Sequence, residues 1–416
     1  MVDDEGDEGA GEGANKEKAM VRSCFALVLL AGSLAAAEEQ ALTLRAGTLL
    51  DGKGGVTRGA IVVVEGSRIA RIGGEPKGPV HDLTMLTVLP GLIDTHVHIS
   101  SHFGRDGRYA NESETQAQFI LYATENAYRT LMAGFTTVQS IGAPQDLDLR
   151  EAIARGVIPG PRILTSIRPA NENTGDPEEI RAFVRAVAKD GADLVKLFAS
   201  KSIREGGAQT MTDEQIQAGC DEARKLGLRS WVHAHAASAM KAAALAGCSA
   251  VTHGSQGTDE VFAIMAERGT YFEPNIGLVS QNYLAHKPQY LGIGNYTEEG
   301  FQFMERNIPI KLEMYQRAMK HKTLKLLMGT DATAGAHGRN AEEIIYRIEK
   351  AGQSPLEAIA GATSLAAESL GLGDKVGAIA PGMEADIIAL EGDPLSDATA
   401  LRRVAFVMKG GKIFRK

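Results

Sequence analysis

The stretch Thr87-Val88-Leu89-Pro90-Gly91-Leu92-Ile93-Asp94-Thr95-His96-Val97-His98 is an apolar run that turns polar at Asp94 and ends on two histidines one residue apart. Side chains alternate along an extended chain, so a strand over 87–98 sends His96 and His98 to the same side at its end. Seven further strand-like runs follow: Phe135–Ser140, Arg162–Ser166, Asp193–Ala199, Leu228–His233, Ser249–His253, Thr270–Pro274 and Thr323–Asp331. Helical periods separate them, the pattern of parallel β/α units. Eight strands are what a closed (β/α)8 TIM barrel needs, and such barrels carry their active sites at the strand C-terminal ends.

The intervening helices have legible ends. Asp176-Pro177 caps and opens a helix whose Ile180, Phe183, Val184 and Val187 share a face, and Gly191 stops it. Thr212 with Gln215 forms a capping box, and Gly227 ends that helix. The stretch from Tyr283 to Ile310 fits no β/α unit and reads as an insertion or lid.

Outside the barrel the grammar changes to short strands and turns. Leu42–Leu44, Ala60–Val64, Arg68–Ile72 and Met85–Val88 alternate with Gly-containing turns. Ala385–Leu390 and Val404–Met408, with a hairpin turn at Lys409-Gly410-Gly411-Lys412, answer them at the far end. The two ends are expected to build one small β-sandwich domain. The α/β chain then divides into 1–37, an extension with a signal peptide; 38–90, the first part of the β-sandwich; 91–374, the barrel; and 375–416, the second part of the sandwich.

Within 1–37, Met20 to Ala37 has Arg22, an apolar stretch from Phe25 to Leu34, and small residues before Glu38, the layout of a secretory signal peptide. Met20 is the expected initiator, residues 1–19 are expected to be unstructured, and a periplasmic or secreted protein follows, with no membrane association once the signal is removed. The three cysteines have no metal-finger spacing and give no disulfide framework. A net charge of −8 without basic runs offers phosphate backbones nothing to hold, which excludes nucleic acid and leaves small molecules as partners.

The chemistry sits at the strand ends. His233 and His253 close two apolar runs and Asp331 closes the last, so with His96 and His98 four strand ends carry four imidazoles and one carboxylate. Those ligands suit Zn²⁺ and also Mn²⁺, Fe²⁺ or Co²⁺. Lys196 lies inside Leu194-Val195-Lys196-Leu197-Phe198, where an unpaired ammonium is costly to bury. Either it snorkels to solvent from the outer face, or it is a deprotonated amine that takes up CO₂ as a carbamate bridging two cations.

Taken together, Leu89 to His98, Val195-Lys196-Leu197, Val232-His233-Ala234-His235, Thr252-His253-Gly254, Gly329-Thr330-Asp331-Ala332 and the closing Gly377 to Ile387 resemble the amidohydrolase superfamily from about Leu42 to the C-terminus. The nearest likeness is to the imidazolonepropionase-related branch with Xaa-Pro dipeptidases, aryl-amidases and ochratoxin-hydrolysing carboxypeptidase-like enzymes. One departure is Thr136-Thr137-Val138-Gln139-Ser140, where many relatives carry Arg-Asp after Thr-Thr-Val.

The resemblance implies a homo-oligomeric hydrolase with two divalent metals, most simply zinc. His96, His98 and Asp331 would hold one, His233 and His253 the other, with Lys196 as a bridging N6-carboxylysine. His233 matches the ligand position, so His235 then faces substrate beside the ligands as a catalytic group, the alternative being that the two exchange roles. Asp331 doubles as the acid/base that moves a proton from metal-activated water to the departing amine. The implied substrates are dipeptides or N-acyl amino acids, including ochratoxin-type aryl amides. A cyclic-amide hydrolase or deaminase, or a silent binding barrel, is the alternative. A substrate carboxylate would need a cation at the barrel mouth. Arg168 and His337 are the leading residues for it, with Lys201, Arg204 and Arg339 in comparable loops, and Tyr283, Tyr290 and Tyr296 able to line an aromatic pocket.

Overall fold

A computed structural model describes residues 41–109 and 114–416. The signal-like stretch and its lead-in lie outside the described residues. In chain order the strands are β1 (Ala41–Leu50), β2 (Val56–Glu65), β3 (Arg68–Ile72), β4 (Val80–Pro90), β5 (Leu92–Val97), β6 (Phe135–Ser140), β7 (Arg162–Thr165), β8 (Pro169–Asn171), β9 (Leu194–Phe198), β10 (Arg229–Ala234), β11 (Ala250–His253), β12 (Tyr271–Glu273), β13 (Ile387–Glu391), β14 (Val404–Lys409) and β15 (Lys412–Arg415).

The run expected as a single strand over 87–98 is two. Gly91 breaks it, because a Cβ there would lie 2.2 Å from the Thr136 hydroxyl, and its amide turns aside to donate to the Asp386 carbonyl. β4 stays in the sheet with β1 and β13, and β5 opens the parallel sheet β5-β6-β7.

The two ends of the chain form one seven-stranded sheet in the order β15-β14-β13-β4-β1-β2-β3. The free flank of β3 is tied back to the segment before β13 by Ile69 donating to Met383 and Gly382 donating to Ile69. Leu44, Val62, Val64, Ile387, Phe406 and Met408 fill the space between.

The remaining strands are parallel, in sheets β5-β6-β7 and β12-β11-β10-β9-β8. Residues 323–331, expected as a strand, form an irregular extended segment between the two sheets. Lys325 and Leu327 exchange hydrogen bonds with Phe272 on one side, and Thr95 and His98 donate to Met328 and Ala332 on the other. Asp331 takes a φ of +56° while its amide still donates to the His96 carbonyl, and Ala332 bridges to Val97. Across the other gap, Asp193 donates to Thr165.

Helices cover the outer face of β9–β11. Pro177–Lys189 starts at Asp176, whose carboxylate accepts from Glu178 and Glu179, and Asp213–Lys225 starts at the Thr212/Gln215 capping box, both as the sequence indicates. Their Ile180, Val184 and Ile216 pack on Val195, Leu197 and Val232, while Leu194 and Trp231 face inward with Ile93 and Leu327. The lid region is helical, with Leu278–Ala285, Lys287–Tyr290 and Glu298–Ala318.

The cysteine expectation needs correction. Cys220 and Cys248 form a disulfide with Cα atoms 5.1 Å apart. The helix Asp213–Lys225 and the turn before β11 bring together two residues 28 apart in sequence, a pairing no spacing rule reveals.

Candidate metal centre

Lys196 occupies the inner face of β9 by simple alternation, since Val195 and Leu197 take the outer face beneath the helices. It is fully buried, and its Nζ has no hydrogen-bond partner. Burial pulls its pKa down to about 8, against the upward pull of Glu273 and Asp331. The snorkelling alternative is therefore removed: this amine faces inward.

Two trios of ligand-bearing side chains converge beside it. His96, His98 and Asp331 form one, and His233, His235 and His253 the other, with the ligand atoms of each trio within 4.8 Å of one another. The trios abut, with the His96 and His253 ring centres 5.4 Å apart. Asp331 Oδ1 lies 3.1 Å from His98 Nε2 and 3.4 Å from His96 Nε2. Burial opposes its ionisation, but His96, His98 and Lys196 hold its carboxyl well below the usual carboxylate range. Burial, reinforced by the Lys196 charge, lowers His96 and brings His233 down to about 3. His253 is lowered in the same direction by burial and by the neighbouring histidines. Neutral imidazoles and an ionised carboxylate are the metal-binding forms.

His235 packs against the other two histidines, with centroids 4.9 Å from His233 and 5.0 Å from His253, slightly farther than the 4.5 Å between those two. Its Nδ1 is 2.8 Å from Ser255 Oγ, which in turn accepts from Asn307 at 3.1 Å. That contact leaves Nε2 for the cavity.

Glu273, at the end of β12, was missed by sequence reasoning. Its fully buried carboxylate sits 2.6 Å from His96 Nδ1 and accepts from Thr95 Oγ1 at 2.6 Å and Trp231 Nε1 at 2.9 Å. A carboxylate on the far ring nitrogen fixes the tautomer and orientation of a metal-binding histidine. The signal was one acidic residue closing an apolar run, with nothing to indicate a partner 177 positions away.

Both trios open into a cavity of about 460 Å³, which Phe198, Lys201, Arg204, Tyr283, Tyr296 and Lys311 also line. The two leading carboxylate-binding residues are not in its wall. After β7 the backbone turns sharply at Ile167, φ +62°, and carries Arg168 away to pair with Asp190 at 2.8 Å over the ring of Phe183. His337 is buried outside the cavity, and burial together with the His98 charge takes its pKa down to about 3, leaving it a neutral ring.

The donor set fits two divalent cations: two separate trios, and between them an orphaned amine whose carbamate would supply the missing anionic bridge.

The amidohydrolase family profile matches residues 87–414. Ochratoxinase of Aspergillus niger is 27% identical over 445 aligned positions, covering 92% of this chain and 88% of that protein. A crystal structure of a Xaa-Pro dipeptidase with bound methionine superposes with a TM-score of 0.81 at 31% identity, over 90% of this chain and 100% of the other. The A. niger ochratoxinase structure, 24% identical with a TM-score of 0.79 over 91% and 96% of the two chains, shares the fold. With the profile spanning most of its length and a 31% identical relative matched end to end, this chain belongs to the amidohydrolase family and is a hydrolase of carbon–nitrogen bonds.

Proposed function

We propose that this hydrolase cleaves the amide bond of dipeptides or N-acyl amino acids at a centre built for two divalent cations, held by His96, His98 and Asp331 on one side and His233 and His253 on the other. Lys196, if carboxylated by CO₂ with loss of a proton, would supply a further anionic ligand to that centre. The observation that carries the reading is the buried, partnerless Lys196 amine, near enough for its charge to act on His96 and Asp331 of one trio and His233 and His253 of the other. Bound cations there would supply Lewis acidity toward water and toward the scissile carbonyl.

The chain's own residues do the rest. Asp331, ionised at neutral pH, accepts the proton of the attacking water at its carboxylate and returns it to the leaving nitrogen. His235, anchored through Nδ1 by Ser255, presents Nε2 to the substrate carbonyl. Glu273 keeps His96 from turning away. The cavity lies within the usual size range for small-molecule sites, roughly 300–1,000 Å³.

The architecture proposed with this chemistry is a (β/α)8 barrel over 91–374, closed by the 323–331 segment, beside a β-sandwich contributed by 38–90 and 375–416. Export is proposed as well, and the Cys220–Cys248 disulfide supports it, because such bonds persist in oxidising compartments.

The test is a screen of metal-loaded protein against Xaa-Pro and Xaa-Phe dipeptides and N-acyl amino acids. Release of a free amino acid is the expected result. Ammonia without amino acid release, or ring opening, would replace this reading with the deaminase or cyclic-amide alternative.

A further inference from the structure

Three cations line the cavity beside the ligand trios: Lys201, Lys311 and Arg204. Lys201 is solvent-exposed. Lys311 is buried but already donates to the Asn275 carbonyl at 2.6 Å. Arg204 differs from both. It sits on the short turn Ile203–Glu205 after β9, the strand that carries Lys196, and Ser202 Oγ fixes the turn by accepting from the Arg204 amide at 3.3 Å.

The guanidinium is held but not neutralised. Its Nε donates to Asn295 Oδ1 at 2.9 Å, and Asn295 is itself held through Glu205 Oε2 at 2.6 Å. Its plane lies over Tyr296, 4.1 Å from the ring centre, and 5.1 Å from that of Tyr283. Among the described residues no carboxylate or carbonyl meets its two terminal nitrogens. A half-buried guanidinium over aromatic rings, with Nε used for orientation, the Tyr283 hydroxyl as a neutral partner and no anion on it, is a fork for a planar anion.

We propose that Arg204 receives the free α-carboxylate of the amino acid on the leaving side of the scissile amide, and that the tyrosine wall beside it takes that residue's apolar side chain. This rests on the amide-hydrolase reading above and sharpens it. Arg204 becomes the residue that reads the free carboxylate common to dipeptides and N-acyl amino acids, and amides capped there are excluded. The enzyme then acts only at chain ends, because an internal peptide bond offers the fork no anion.

The test compares N-benzoyl-L-phenylalanine with its carboxamide, using the metal-loaded full-length chain and its Arg204→Gln and Arg204→Lys variants. Wild type should prefer the acid by about 100-fold in kcat/KM, the worth of a bidentate charge-assisted contact. Arg204→Gln should lose most of that preference, mainly through KM for the acid. Arg204→Lys, which keeps the charge without the fork, should fall between.

Equal cleavage of acid and carboxamide by wild type, or an undiminished preference in Arg204→Gln, overturns the proposal while leaving the amide-hydrolase reading intact. If neither compound is cleaved, the amide-hydrolase reading stands or falls on the wider dipeptide and N-acyl amino acid screen, and calorimetric binding of N-benzoyl-L-phenylalanine decides the fork separately. Binding to wild type that weakens in Arg204→Gln upholds the fork, whereas no binding to wild type, or equal binding to both, rejects it.

Discussion

Ile167, His253, Asn275 and Asp331 hold left-handed backbones, each at or just past the end of a parallel strand or of the 323–331 segment. Outside glycine such conformations cost about 1–3 kcal/mol each and survive where the surroundings force them. Two of the four are proposed ligands, so the strain falls where side chains must be aimed.

Replacing Asp331 with Asn should leave metal content near that of wild type and cut kcat by about 10²–10⁴-fold, the range of general acid–base catalysis. Full turnover with both metals retained would remove the proton-shuttle role. Lys196→Ala should lose the two-metal centre in elemental analysis. Reconstitution of metal-free wild type with bicarbonate should speed up as pH rises from 6 through about 8, because the lowered pKa of Lys196 makes the neutral amine, the form that attacks CO₂, available there. A rate flat in pH and bicarbonate would argue against the carbamate. The ligands were legible because each interrupts or closes an apolar run; Glu273 and the cysteine pair were not, because their meaning lies in partners far away in sequence.

Among the elements, the contact of β12 with the 323–331 segment sets the centre's stiffness. A Cβ on Gly329 would lie 2.4 Å from Glu273 Cδ, so Gly329→Ala must push that carboxylate off His96. Metal affinity should fall about 10–100-fold, the usual effect of losing a partner behind a ligand, as read by chelator competition. Unchanged affinity would mean Glu273 does not hold the ring. The departure at Gln139 also gains a structural account. Gln139 donates to the Thr95 carbonyl at 2.9 Å and accepts from Arg229 Nη1 at 2.6 Å, so a neutral side chain from β6 bridges β5 and β10. The strand runs and helix caps could be read from local pattern. The break at Gly91 could not, since it depends on Thr136 crowding from β6, and neither could the irregular path of 323–331, which follows from its long-range contacts.

For the whole molecule, the pairing of both chain ends in one sheet followed from matching strand grammar at 42–88 and 385–408, whereas the order of strands within it is set by tertiary contact. The lid was legible only as a stretch that fits no unit. Its first helix brings Tyr283 and the turn before Glu298–Ala318 brings Tyr296 to the cavity wall, while Tyr290 is buried against the Ala334 carbonyl. The disulfide closes a 28-residue separation, so its reduction should lower stability by about 3–4 kcal/mol, seen as a lower Tm in reductant than without it. An unchanged Tm would show that the bond adds nothing to the fold.

The most direct test of the central claim is elemental analysis of the purified chain after metal supplementation, with turnover of an N-acyl amino acid measured on the same sample. The account predicts two divalent ions per chain and release of a free amino acid that stops when the metal is chelated. Fewer than one ion per chain, or turnover indifferent to chelation, would contradict it.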